Sequence, residues 1–169
     1  MDSDDLFSCL ERHLRTKDDI EMMLLKGHLI LEQALNKILL CYIENEEELS
    51  KLNLMFSKKL DLLIALSGKG YGSDQEISQL REINRIRNKL AHQLDFDGFH
   101  SDLKRWACQV VGYTPKSINR KQTYRNTLMR AFYLLAGMLS GMAKGRMAAL
   151  RGERSDNPFT QPLSPAGKE

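Results

Sequence analysis

Apolar residues recur along most of this chain at spacings of three and four, which is the period of a helix with one buried face. Few stretches alternate as a strand would. The segment 79–92 shows the helical period clearly, since one side of it collects Leu80, Ile83, Ile86 and Leu90. The pattern predicts six helices. Four have single limits, at about residues 3–15, 18–44, 52–67 and 99–111. The fourth helix in chain order begins at residue 73 or 74 and ends between 92 and 95, and the last begins at 118 or 123 and ends at 151. We therefore expect an all-α fold, an up-and-down helical bundle of five to six helices.

The length of 169 residues fits one domain with its own core. We expect residues 1–152 to form this helical domain. Residues 153–169 contain three prolines among serine, asparagine and glycine, and are expected to be a short disordered tail. Two segments between helices are expected to be turns. Residues 44–48 are a run of charge, and residues 68–73, GKGYGS, follow no strand and lack the GK[ST] ending of a phosphate-binding loop.

Two glycine features predict close packing between helices. Gly27 lies in the middle of the second helix, where glycine costs about 1 kcal/mol relative to alanine, and a close approach by another helix would explain it. Gly137, Gly141 and Gly145 recur every four residues in the last helix. In water such a stripe indicates that another helix backbone packs along it, from the same chain or from a second one.

The net charge of +3 conceals an uneven distribution along the chain. Residues 1–102 contain 13 lysines and arginines against 19 acidic residues, whereas residues 103–152 contain ten lysines and arginines and no acid. One-sided positive charge is typical of a surface that binds a polyanion. The alternative is that the acidic half neutralises the basic half, within the fold or across a dimer.

Other features of the composition exclude several classes of protein. The three cysteines are far apart and form no CxxC pair, which indicates a reduced cytoplasmic protein without disulfides or a zinc site. The longest apolar run, residues 131–143, is too short to span a bilayer, and the acidic start of the chain does not resemble a signal peptide. We therefore expect no membrane partner, no metal and no cofactor.

Residues 87–92, RNKLAH, place three chemically useful side chains near the end of the fourth helix. Arg87 can bind two phosphate oxygens at once. Asn88 can hold a phosphate or orient the imidazole, and His92 can transfer protons near neutral pH. These candidate catalytic residues suit cleavage of RNA by its own 2′-hydroxyl, which needs no metal. The alternative is a surface pair, since arginine and histidine near a helix C-terminus also suit the helix dipole.

The motif resembles the signature of the HEPN superfamily of small all-helical domains. That signature is an arginine, a polar residue, three further residues and a histidine, late in an amphipathic helix. The preceding FSKKLDLLIALSGKG, residues 56–70, and the order of the helices are similar to the mannitol operon repressor branch, over roughly residues 20–145. The resemblance implies an RNA-cleaving homodimer in which both chains supply Arg87 and His92. It also implies a cognate antitoxin or regulatory protein, although Leu94 stands where some relatives carry the tyrosine that an antitoxin modifies.

Two further groups of residues are candidates for the same site. On the second helix, Glu32 is expected to contact Arg87 or His92, with His28 beside it; alternatively His28 simply pairs with Glu32 four residues later. Residues 113–126 mix basic and aromatic side chains, which suits single-stranded RNA, and the alternative is a solvent-facing linker. The candidate RNA-binding residues are Lys116, Arg120, Lys121, Tyr124 and Arg125.

Three functions therefore compete. The leading hypothesis is a metal-independent endoribonuclease, either a toxin or a phage-defence effector, whose expression arrests growth unless His92 or Arg87 is replaced. The alternative is a non-catalytic HEPN-like regulatory or interaction module, such as a transcriptional co-regulator or an RNA-binding partner. A DNA-binding repressor is the third, but the basic residues 116–130 lack the spacing of a helix-turn-helix motif.

Overall fold

The computed structural model describes residues 8, 11, 12, 14, 19–43, 45–67, 74–93 and 98–152. Over these residues the chain forms six helices and no strand, so the predicted all-α fold is confirmed. The helices are α1 (Ile20–Leu40), α2 (Glu46–Lys51), α3 (Phe56–Ser67), α4 (Asp74–His92), α5 (Phe99–Val111) and α6 (Lys121–Leu150). Most of the predicted first helix, the 68–73 turn and the 153–169 tail lie outside the described residues.

Most observed helices begin and end close to the predicted limits, but α1 ends earlier than predicted and α3 begins at Phe56 instead of at residue 52. α1 begins beyond Asp19, whose carboxylate accepts a hydrogen bond from the backbone N–H of Ile20. It ends at Leu40 instead of near residue 44, because the N–H of Cys41 turns back to earlier carbonyls and tightens the last turn. The α4 and α5 limits agree with the prediction.

The charge run at residues 44–48 contributes to a short helix, so the prediction of a turn there is wrong. The Asn45 side chain accepts a hydrogen bond from the backbone N–H of Glu48, at 3.2 Å, and caps α2. Glutamates fill the first turn of α2 and Lys51 lies in its last turn, which suits the helix dipole. Lys51 also pairs with Glu47 and Glu48 one turn earlier. Local charge pairs therefore favour a helix that buries no side chain.

α1 lies at the centre of the bundle, and its buried face contacts α6, α3 and α4. α6 also packs along α5, and α5 packs in turn along α4. Trp106 of α5 and Phe132 of α6 are both fully buried, with ring centroids 5.2 Å apart. Burial of these large side chains supplies much of the apolar surface that holds the helices together.

Gly27 marks a tight contact between α1 and α6. A Cβ atom built on Gly27 would lie 2.5 Å from the ring of Phe132, well inside van der Waals contact. The predicted close approach at Gly27 is therefore confirmed. The stripe on α6 differs, because a Cβ atom built on Gly141 or Gly145 would meet no described atom within 4 Å. Within the described residues, no second helix of this chain packs along that part of the stripe.

Three polar contacts hold α4 between its neighbours. On one flank, Arg81 pairs with Asp61 of α3 at 2.8 Å. On the other flank, Arg85 reaches Asp102 of α5 at 3.4 Å, and the indole N–H of Trp106 donates to the backbone carbonyl of Gln79 at 2.9 Å. Surface ion pairs contribute about 0–1 kcal/mol each, so the buried indole contact is the more important constraint. Together these contacts set the rotation of α4 about its axis.

Candidate functional site

The motif residues lie on the last two turns of α4, but on different sides of it. A helix turns about 100° per residue and rises about 1.5 Å, so Arg87 and His92 are separated by about 140° around the axis and about 7.5 Å along it. Asn88 and His92 are four residues apart and share a side. A single copy of this helix therefore does not aim Arg87 and His92 at one point.

Arg87 differs from the other two arginines of α4 in its contacts. Arg81 and Arg85 both pair with carboxylates. Arg87 is half-buried, and its Nη1 donates to the neighbouring Asn88 Oδ1 at 3.2 Å. Among the described residues, no carboxylate lies within ion-pair distance of it. The positive charge of Arg87 is therefore held in place by a neutral amide and is available to an anionic ligand.

His28 lies at the junction of α1, α3 and α4. Its side chain is buried, its ring centroid is 4.5 Å from that of Phe56, and its Nε2 lies 3.0 Å from Asn84 Oδ1. Since that oxygen can only accept, the Nε2 of His28 carries a proton and donates it. The packing around His28 supports α4 at Asn84, which lies about two helical turns before His92.

Burial lowers the pKa of His28, because an apolar environment disfavours the charged imidazolium. The hydrogen bond to Asn84 opposes this effect, the positive charge of Arg87 lowers the pKa further, and the negative charge of Glu32 raises it. The net direction is downward, so His28 is neutral at neutral pH. Arg87 follows Asn84 by three residues, so the two side chains leave α4 about one turn apart on the same side.

Glu32 does not make the contact that was expected of it. Its carboxylate pairs with Lys59 of α3, with Nζ and Oε1 2.7 Å apart in a largely buried position. It forms no described hydrogen bond to Arg87, His92 or His28, so both interpretations of Glu32 in the sequence require correction. The reason is tertiary, since α3 brings a lysine into reach from 27 residues away. No local signal in the sequence indicated Lys59.

His92 lies at the last residue of α4 and is exposed. It forms no hydrogen bond to another described residue, and the segment that comes next, residues 94–97, lies outside the described residues. The imidazole is thus accessible to a ligand or to a second copy of the chain.

The five candidate RNA-binding residues divide into two groups. Three of them, Lys116, Arg120 and Lys121, are exposed and lie around the connection between α5 and α6. Arg125 is half-buried one turn into α6. Lys121 and Arg125 also line an open cleft of about 830 Å³ beside the start of α1. These four cations are placed where a polyanion can reach them.

Tyr124 does not belong with those cations, and its assignment as a base-stacking residue is wrong. Its side chain is 5% exposed, with the ring of His100 at its edge and Lys104 Nζ 5.2 Å from its ring centroid. Burial raises the pKa of its phenol. A signal was present in the sequence, since Tyr124 falls on the apolar α6 period that continues at Leu128 and Ala131. The aromatic ring that does face solvent is Tyr113, which is 50% exposed.

The described residues show neither a metal site nor a membrane span. No group of three or more histidine, cysteine, aspartate or glutamate side chains among them could hold a metal ion. No helix in the described ranges is long and apolar enough to cross a bilayer. Cys41 and Cys108 are free thiols, and burial raises the pKa of Cys41.

The chain matches no model of a protein family, no curated protein and no solved structure. The resemblance to the HEPN superfamily therefore rests on the RNKLAH motif and on its place in the order of helices. What the structure defines is a class, an all-helical bundle with an arginine, an asparagine and a histidine at the end of one helix.

Proposed function

We propose that this chain is a metal-independent endoribonuclease of the HEPN type that acts as a homodimer. The observation that carries the proposal is the state of Arg87. It is the one arginine of α4 without a carboxylate partner among the described residues, and it follows Asn84 of the His28–Asn84 pair by one helical turn. Its half-buried guanidinium has no opposing charge among the described residues, so an anionic ligand such as phosphate would pair with it.

The reaction assigned to these residues is intramolecular transfer at an RNA phosphate. The 2′-hydroxyl loses its proton and its oxygen attacks phosphorus, the bond to the 5′-oxygen breaks, and that oxygen gains a proton. The products are a 2′,3′-cyclic phosphate and a 5′-hydroxyl. His92 transfers the protons, Arg87 binds the phosphate oxygens as negative charge develops on them, and Asn88 holds Arg87 in position.

A dimer is part of the proposal because of the helix geometry. Arg87 and His92 of one chain lie about 140° apart around α4, and one imidazole does not serve easily as base and acid in the same step. A two-fold axis near the end of α4 brings two copies of each residue to one cleft. His92 is exposed, which permits this approach.

The basic residues beyond α5 support an RNA substrate over a small phosphate ester. Arg120 and Lys121 are exposed, and the acid-free segment 103–152 surrounds them. Phosphate contacts of this kind provide affinity without sequence preference and weaken as salt concentration rises. Binding of RNA is therefore expected to fall steeply between low and physiological salt.

The test is incubation of purified protein with total RNA in EDTA. Wild type is expected to produce fragments ending in 2′,3′-cyclic phosphate, and His92→Ala and Arg87→Ala are each expected to reduce the rate by about 100-fold or more. His100→Ala and Arg12→Ala are matched controls, since both residues are exposed and lie outside the motif. Intact RNA with excess wild-type protein, or undiminished cleavage by His92→Ala, would leave the non-catalytic interaction module as the function.

Mixing the two inactive variants tests the shared cleft. A heterodimer of Arg87→Ala and His92→Ala retains one intact arginine and one intact histidine on different chains. Partial recovery of cleavage on mixing is expected if one phosphate contacts residues from both chains. Cleavage that does not recover, in a mixture shown by crosslinking to contain heterodimers, would mean that one arginine and one histidine from different chains are not sufficient, either because the cleft needs both imidazoles or because each Arg87 acts with the His92 of its own chain.

The biological role proposed for this activity is that of a toxin or phage-defence effector. Expression of the wild-type chain is then expected to arrest growth and degrade cellular RNA, and His92→Ala is expected to relieve both effects. The neutralising partner is an antitoxin or regulatory protein that does not depend on a tyrosine at position 94, which is leucine here.

A further inference from the structure

A cavity of about 630 Å³ lies on the opposite half of α4 from the motif, bounded by α5 and by the connection after α5. Its volume falls within the roughly 300–1,000 Å³ that is typical of small-molecule sites. Gln79 on its wall precedes Arg87 by eight residues, or about 12 Å along the helix. Most of its lining is polar, charged or aromatic, and the side chains used below are Gln75, Gln79, Lys104, Gln109 and Tyr113.

The Gln79 side chain presents a buried acceptor with no partner. Its Oε1 atom is shielded from solvent and has no hydrogen-bond partner in the part of the chain that the structure describes. The residue itself is fixed, because its backbone carbonyl accepts the 2.9 Å hydrogen bond from the Trp106 indole. Buried polar atoms in proteins almost always have a partner. The Gln79 side chain must rotate to turn this shielded oxygen toward the cavity, where an N–H or O–H group of a ligand would satisfy it.

Lys104 provides a positive charge in the same cavity. Its Nζ donates to Asn119 Oδ1 at 3.0 Å and lies over the buried Tyr124 ring, and both of these partners are neutral. The adjacent Arg105 differs, since it pairs with Asp102 at 2.7 Å and approaches Glu82. Among the described residues, Lys104 has no carboxylate partner, and it can therefore bind an anion without first losing an ion pair.

Tyr113 provides an aromatic surface at the rim. Its ring is half-exposed, and the Arg130 guanidinium lies 5.7 Å from its centroid while Nη1 of Arg130 reaches the Tyr113 hydroxyl at 3.3 Å. These contacts hold the ring in one orientation although it lies in an exposed connection. Gln75 and Gln109 add amide groups that can donate or accept beside it.

We infer that this cavity binds one nucleoside phosphate unit. The ligand must combine an N–H or amino group for Gln79, a planar ring for Tyr113 and an anion for Lys104, and a nucleobase joined to a phosphate carries all three. The unit is either a free mononucleotide or one unpaired nucleotide of an RNA strand. The inference does not require RNA cleavage, because it uses neither Arg87 nor His92.

Trp106 makes the binding directly observable. It is the only tryptophan in the chain, so its indole gives a single ¹H–¹⁵N signal, and its hydrogen bond to Gln79 places that signal at the cavity wall. The ligands are AMP, UMP, inorganic phosphate and a short single-stranded oligouridine, titrated into the His92→Ala protein so that RNA remains intact. Calorimetry in parallel gives the dissociation constants.

At least one of AMP, UMP and the oligonucleotide is expected to shift the Trp106 signal. Inorganic phosphate is expected to bind at least about tenfold more weakly than the best of these nucleotide ligands. A response to mononucleotides assigns the site to free nucleotides, and a response to the oligonucleotide alone assigns it to RNA. Gln79→Leu and Lys104→Met should each weaken binding by about tenfold. Lys144→Met is the control, since Lys144 is an exposed α6 lysine outside the cavity lining.

No shift with any ligand at millimolar concentration would overturn the inference. Phosphate binding as tightly as nucleotides, or equal weakening by Lys144→Met and Lys104→Met, would also overturn it. Tyr113→Leu provides a further variant on an exposed connection if Gln79→Leu fails to fold. Cleavage is measured separately with the wild-type protein, so failure of the nuclease proposal and failure of this one are distinguishable.

Discussion

The imidazole of His28 on α1 and the carboxamide of Asn84 on α4 lie 3.0 Å apart and join the central helix to the helix that carries the motif. The pair is separated by 56 residues in sequence. Asn84 precedes Arg87 by one turn of α4, and the charge of Arg87 lowers the pKa of His28. The polar contact therefore joins α1 to the part of α4 from which Arg87 projects.

The first prediction concerns the strength of that contact. His28→Ala should lower the free energy of unfolding by about 2–4 kcal/mol, because it removes a packed ring and leaves Asn84 without its partner. Asn84→Ala should lower it by about 1–2 kcal/mol. A double-mutant cycle from urea denaturation should give a coupling of about 1 kcal/mol. Strictly additive losses would show that the two side chains do not stabilise each other.

The second prediction concerns pH. The pKa of His28 in the folded chain lies below its ordinary value of 6.5, mainly because of burial, so the unfolded chain binds this proton more readily. Stability should therefore be full above pH 6.5 and decline as the pH falls below it, by at most about 1.4 kcal/mol per pH unit, until the folded pKa is reached. Urea denaturation at about pH 7.5 and about pH 5.5, on either side of the ordinary histidine pKa, measures this decline.

His28→Gln should remove that decline, since glutamine keeps a donor for Asn84 and does not titrate in this range. His100→Gln is the control, because His100 is exposed, and it should leave the decline in place. Glu82 contributes in a separate range. The hydrogen bond from Arg85 lowers its pKa below 4.5, so its contribution is lost only as the pH falls further. A wild-type stability that is the same at both pH values would contradict the buried neutral state of His28.

The third prediction compares two glycines in helices. Gly27→Ala should destabilise the protein by about 1–3 kcal/mol, because the new methyl group would overlap the Phe132 ring. Gly141→Ala should instead stabilise it by up to about 1 kcal/mol, since the added methyl group meets open space and alanine favours the helix. Thermal denaturation of the two variants beside wild type decides this. Phe132→Leu combined with Gly27→Ala should recover part of the loss.

The fourth prediction concerns Tyr124. Its hydroxyl is buried and has no hydrogen-bond partner among the described residues, so Tyr124→Phe should leave stability unchanged or raise it by up to about 1 kcal/mol. Tyr124→Ala should cost about 3–5 kcal/mol as a large core truncation. Tyr113→Ala, at a half-exposed position, should change stability by less than about 0.5 kcal/mol. An unfolding free energy unaffected by Tyr124→Ala would mean that this ring lies outside the core.

Much of the helical architecture was predictable because the signals are local. The limits of α4 and α5 follow from apolar periodicity and from the residues that flank them, and Gly27 marked the tight packing on Phe132. The run at residues 44–48 was misread because charge pairs one turn apart stabilise a helix that has no apolar side. Periodicity cannot detect such a helix, but the asparagine before the glutamates was a usable signal.

The candidate site was predictable only in part. Arg87, Asn88 and His92 were identified from their spacing on one helix, and the structure adds the contact between Arg87 and Asn88 and the exposure of His92. The pairing of Glu32 with Lys59, and of His28 with Asn84, depends on which faces of α1, α3 and α4 meet. No local sequence pattern predicts which helix faces pack against each other.

The sequence by itself determined where the helices form and which residues carry charge, because both follow from side chains within a few positions of one another. The tertiary structure decided which of those charges are neutralised and which rings are covered. Arg81 and Arg87 both lie on α4. Among the described residues, packing brings a carboxylate to Arg81 but not to Arg87. The same packing covers Tyr124 and leaves Tyr113 at the surface, because burial depends on neighbours that lie far away in the chain.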